Sequence, residues 1–159
     1  MAFEPAVIEQ WIYDTLSGDA TLQGLLAVNN LPNNYQQGIY AYVAPQIDPV
    51  SRKQPKTPYV VFDRAGSGGS DEDTLCGSRV FTYPTYRITV WDTSSGALSM
   101  GVISSIMDRV DALLDNQHVS STTPRFYCRR ESTAQTFAME NGGRMDYGVT
   151  AVYRFVTQQ

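Results

Sequence analysis

The chain holds one histidine, His118, and two cysteines, Cys76 and Cys128, among 159 residues. A single His in a polar stretch cannot build a multi-histidine site, and no orienting partner for a general base is identifiable. The cysteines lack Cys-x-x-Cys spacing, which excludes zinc and redox-motif readings. No window approaches 18 uninterrupted apolar residues, so no membrane-spanning helix is expected. The start Met-Ala-Phe-Glu-Pro lacks the basic and apolar regions of a signal peptide; the cytosolic default with reduced thiols follows. Charge is also sparse, at 18% of residues with a net value of −4. That balance argues against a nucleic-acid binder, which usually carries a basic face. Gly-x-Ser-x-Gly and His-Glu-x-x-His are missing. The glycine-rich run Gly66-Ser67-Gly68-Gly69 has no following Gly-Lys-Ser/Thr, and the acidic residues after it would repel phosphate. These absences point away from an enzyme: no catalytic residue, cofactor or metal is expected.

What the chain does have is a globular, sheet-friendly composition: 42% apolar, with 10 Tyr and 6 Phe. A single domain over 1–159 of this size buries about 70% of its unfolded surface, enough for a core without disulfides or metal. Glu4-Pro5 opens a helix whose apolar stripe is Val7, Ile8, Trp11, Ile12 and Leu16. Ser17-Gly18 ends it. Asp19 can cap a short second helix with the face Leu22, Leu25 and Leu26. Short strands are predicted over Gly38–Val43 and Pro58–Arg64, the second apolar enough to be buried on both faces. An exposed connection, residues 46–57, lies between them. Arg79–Trp91 reads as a strand that changes parity at Pro84, where a bend or bulge is expected.

A long helix over about residues 95–115 carries Leu98, Val102, Ile103, Ile106, Met107, Val110, Leu113 and Leu114 on one stripe. Asn116 to Thr123 reads as polar loop. Arg125–Glu131 is a strand with Phe126 and Cys128 on one face. Met145–Val156 alternates with a clean period of two, after a Gly142-Gly143 turn. The order predicts an α+β fold: a mostly antiparallel sheet of four to five strands, a long helix packed across one face and a short N-terminal helix.

The candidate functional features are few. Gly66–Ser78 reads as a loop, too long for a tight hairpin and too charged to be buried. Its run Asp71-Glu72-Asp73 does not match an EF-hand, so it reads as a solvated loop or a patch facing a partner or channel. Arg125, Arg129 and Arg130 form the one local basic cluster, read as a solvated strand edge or a contact. Trp11 belongs to the core stripe. Trp91 has the opposite parity to Ile88 and Val90 and is an interface candidate.

Four segments in order carry a resemblance. They are Asp19-Ala20-Thr21-Leu22-Gln23-Gly24-Leu25-Leu26 after the first helix, Gly38-Ile39-Tyr40-Ala41-Tyr42-Val43-Ala44-Pro45, and Pro58-Tyr59-Val60-Val61-Phe62. The last is Tyr86-Arg87-Ile88-Thr89-Val90-Trp91-Asp92 leading into the long helix, with a closing strand ending Tyr153-Arg154-Phe155. In this order the chain resembles the tail-completion or tail-terminator proteins of long-tailed bacteriophages. It departs from them in the 46–57 insertion and in its long acidic segment. The resemblance implies a non-enzymatic virion protein, assembled in the host cytoplasm into a ring, a hexamer in this family, at the head-proximal neck of the tail. Such a ring ends tube polymerisation and joins the tail to the head connector. Its partners would be further copies of itself, the major tail tube protein and head–tail connector proteins. DNA would pass through the lumen without specific binding. On this reading Asp71, Glu72 and Asp73 would face the lumen or an adjoining ring, where negative charge repels DNA phosphates. Another neck or connector component, or a small cytosolic ligand-binding α+β domain, is the alternative.

Overall fold

In a computed structural model the described residues are 4–27, 38–44, 56–65, 72–73, 79–93, 97–122, 125–141 and 143–158. The helix α1, Glu4–Ser17, forms where the stripe predicts it, with Ile8, Ile12 and Leu16 fully buried at four-residue spacing. Gly18 closes it by donating its amide to the Asp14 carbonyl at 2.9 Å. Asp19 then caps α2, Ala20–Leu25, accepting the Leu22 amide at 2.7 Å. Leu22 and Leu26 are buried, whereas Leu25 is exposed. The third helix, α3, spans Ala97–Leu114 and buries Ile103, Ile106, Met107, Val110 and Leu114. Val102, counted with that stripe, faces outward. No helix here is long and apolar enough to cross a membrane among the described residues.

The strands are β1 Ile39–Ala41, β2 Tyr59–Arg64, β3 Glu72–Asp73, β4 Arg79–Thr82, β5 Thr85–Asp92, β6 Gln117–Val119, β7 Arg125–Arg130, β8 Gln135–Asn141 and β9 Arg144–Gln158. Among the described residues they form one nine-stranded sheet. This corrects the expected architecture of four to five mostly antiparallel strands under a single long helix. The sheet is larger and mixed, because β1 runs parallel to β2. The N-terminal helix is not a short accessory either. Among the described residues the three helices contact one another, and α1 and α3 contact the sheet.

The source of the extra strands is β9, 15 residues long. It holds two strands end to end on each side. Val149 and Thr150 pair with both β5 and β8, while Thr157 and Gln158 pair with both β4 and β7. β4 and β5 are therefore one interrupted strand, broken between Thr82 and Thr85 at the bend expected near Pro84. β3 lies outside β4, β6 outside β7, and β1–β2 outside β5. The stretch read as polar loop from Asn116 contains β6, and β8 lies in a stretch given no element.

Alternation sends Val149, Ala151, Tyr153 and Phe155 of β9 toward the helices, all buried. Tyr86, Ile88 and Val90 join them from β5, and Phe126 and Cys128 from β7. β2 differs from the expectation of two buried faces: Val60 and Phe62 are buried, while Tyr59, Val61 and Asp63 are half-buried. Trp11 packs edge-on to Phe126 and Phe155, at 5.3 and 6.0 Å between ring centres. It borders the core, as its stripe position indicates.

Candidate functional site

The described helices pack on one face of the sheet; of the candidate residues, Trp91, Arg125 and Arg129 lie on the other. Trp91 reaches that outer face because it alternates with the inward Val90 and Asp92 of β5. It does not stand alone there. Its indole meets Phe137 of β8 edge-on at 5.0 Å between ring centres. Both residues lie opposite Gly148 of β9. A Cβ at Gly148 would sit 2.4 Å from the Phe137 ring, so only glycine lets the two aromatics meet across the middle strand. Thr89 and Thr150 continue the row with their hydroxyls 3.1 Å apart. Arg87 reaches across to Asp63, its Nε donating to Oδ1 at 3.0 Å, and this bond raises the guanidinium pKa further. A shallow depression of about 320 Å³ lies among these groups, with Tyr42, Val61 and Met139 on its rim. Tyr42 of this rim and the inward-facing Tyr86 both donate to Oε1 of Glu9 of α1, Tyr86 at 3.2 Å. The shared carboxylate pushes the Tyr42 hydroxyl up to about 12.

Strand alternation divides the basic cluster. Arg130 points to the helix side, where it pairs with Asp111 of α3. The Tyr153 hydroxyl donates to the same carboxylate at 2.8 Å, and the Arg130 amide donates to Asp115 at 2.7 Å. Arg130 is thus a tie between sheet and helix. Arg125 and Arg129 lie on the opposite, outer face and are exposed. Arg154 of β9, absent from the sequence-derived cluster, stands directly opposite Arg129. Like charges directly opposed across strands are destabilising. Glu131 pairs with Arg154. Among the described residues no carboxylate pairs with Arg125 or Arg129. A second depression, about 290 Å³, lies here with Tyr127, Arg129, Arg154 and Val156 among its walls. His118, in β6, stacks its ring on Tyr127 at 4.4 Å.

Asp71 lies outside the described residues, as do Cys76 and most of the 66–78 and 46–57 segments. Glu72 and Asp73 are not loop residues: they form the edge strand β3, paired with Phe81 and Arg79 of β4. Cys128 is buried, and burial pushes its thiol pKa far up, so it is no nucleophile. Among the described residues no group of three or more His, Cys, Asp or Glu side chains is placed to hold a metal ion. Among the described residues the outer face carries aromatic and apolar surface at one end and exposed guanidinium groups without an ion pair at the other.

No family model matches the chain, and no curated protein matches its sequence. Solved structures do match its fold. A chain from the virion of a native gene transfer agent particle superposes with a TM-score of 0.63 at 15% identity, over 93% of this chain and 92% of its own. A second solved chain gives a TM-score of 0.52 at 11% identity, over 95% of this chain and 94% of its own. Both likenesses run nearly end to end, so this chain shares the whole fold of a chain from a gene transfer agent virion.

Proposed function

We propose that this chain is a structural protein of a phage-like virion, and within it the tail terminator. On this reading it closes into a ring of roughly six copies at the head-proximal end of the tail, ends tube growth and presents a surface to the head connector. It performs no catalysis. The observation that carries the reading is the end-to-end fold likeness to a chain from a gene transfer agent virion. The order of segments that resembles tail terminators narrows the virion role to the neck. The outer sheet face suits assembly, since it offers Trp91, Phe137 and uncompensated arginines with no convergent acid, base and nucleophile among the described residues.

Antibody labelling of purified particles by electron microscopy tests this. The expected label sits at one point, the junction of tail and head. Label spread along the tail tube, or particles free of the protein, would contradict the terminator reading.

A further inference from the structure

One long strand edge of the sheet is open. β8 pairs with β9 along its whole length, and among the described residues its other side pairs with nothing. The edge strands β1, β3 and β6 are three, two and three residues long, whereas β8 has seven. Native sheets blunt a long open edge with lysine, proline or a bulge. Gln135–Asn141 contains no Lys, Arg, Pro or Gly, and its register with β9 is unbroken. Thr136, Ala138, Met139 and Glu140 are exposed. Asn141 and Arg144 face each other across a two-residue connection, so they exchange both backbone hydrogen bonds, and bonded positions recur at every second residue. Thr136, Ala138 and Glu140 therefore turn their backbone N–H and C=O groups to the open edge.

We propose that β8 pairs antiparallel with β8 of a second copy, about a two-fold axis at Ala138, joining the two sheets into one. A second copy is the partner because the strand is complementary to itself. About that axis the outward backbone groups fall opposite one another, Thr136 with Glu140 and Ala138 with Ala138, as a ladder requires. Phe137 of each copy then meets Met139 of the other on the outer face, in the closer, non-bonded kind of pair. A thioether beside an aromatic ring is a favourable contact. The one charge of the strand, Glu140, faces a hydroxyl and not itself. Shifting the register by two residues shortens the overlap and sets Phe137 or Met139 against its own copy. A two-fold contact uses the same patch on both copies, so it is independent of the ring contact, which needs two different patches.

Sedimentation equilibrium of the full chain tests the proposal, with circular dichroism checking the fold. Ala138→Pro removes an N–H that faces the open edge, where the hairpin does not need it. It should weaken self-association by roughly tenfold or more. Thr136→Glu sets carboxylates opposite Glu140 at both ends of the seam and should weaken it by roughly tenfold. Thr136→Lys sets an ammonium there and should tighten it. Should Ala138→Pro lose the fold, the two Thr136 variants decide alone. Equal effects of Glu and Lys at this position overturn the register and with it the proposal. A wild-type chain that stays monomeric overturns it as well. Association that no variant changes overturns the β8 contact while leaving a ring contact elsewhere standing. Wild-type pairs that respond as expected but never close into rings uphold the β8 contact and count against the ring.

Discussion

Gly148 shows how much a single residue decides on the outer face. Alanine in a strand interior normally stabilises relative to glycine, by about 0.5–1 kcal/mol. Here the added carbon would meet the Phe137 ring at 2.4 Å and drive it from Trp91. Gly148→Ala is therefore expected to destabilise by about 1 kcal/mol or more, through loss of the edge-on aromatic pair and local overpacking. In a Phe137→Ala background the same change should become neutral or stabilising. Denaturant unfolding of the four chains checks this; a Gly148→Ala chain as stable as wild type would refute the packing account. The sequence shows Trp91 on the opposite parity from the core, and the structure agrees. It could not show Phe137 beside it, because the contact is made across β9 between residues 46 apart in the chain. The basic cluster behaves in the same way. Adjacent Arg129 and Arg130 look equivalent in sequence, but alternation sends one to Asp111 and the other to the open face.

At the scale of elements, an ion pair between described residues joins the start of α2 to α3. Arg109 donates to both Asp19 carboxylate oxygens, from Nε at 2.9 Å and from Nη2 at 2.5 Å, while Asp19 also caps α2. Arg109, followed by the Leu22 amide, holds the Asp19 carboxyl at about 2, below its ordinary 3.8. A carboxyl depressed in the folded state stabilises fully above its unfolded value and loses that contribution as pH falls through the folded one. The window is thus about pH 4 to 2. Asp19→Asn keeps a capping oxygen but removes the charge. Its thermal midpoint should fall less steeply than wild type between those pH values; parallel acid limbs would show that the ion pair contributes nothing. Asp19 as a cap is legible from sequence because capping is local. Its partner Arg109 is not, being 90 residues away. Strands followed the same rule. β9 and β7 announced themselves by alternating buried side chains. β6 and β8 did not, since Gln117-His118 and Gln135–Asn141 are mostly polar and exposed, and only their pairing partners make them strands.

For the whole molecule, sheet size was the feature least available from sequence. An apolar period of two counts the strands that bury one face, and it is blind to edge strands held by backbone pairing. β9 also conceals its role: nothing in its composition reveals that it serves two strands end to end on each side. Among the described residues the helices pack on one face of the sheet, and the opposite face carries Trp91, Phe137 and the exposed Arg125 and Arg129. On the proposed ring reading the chain makes repeating contacts with further copies of itself. Negative-stain electron microscopy of the purified chain tests this central claim most directly. The account predicts closed rings of one size, roughly six subunits each. Fields of monomers alone, persisting at high protein concentration, would contradict it.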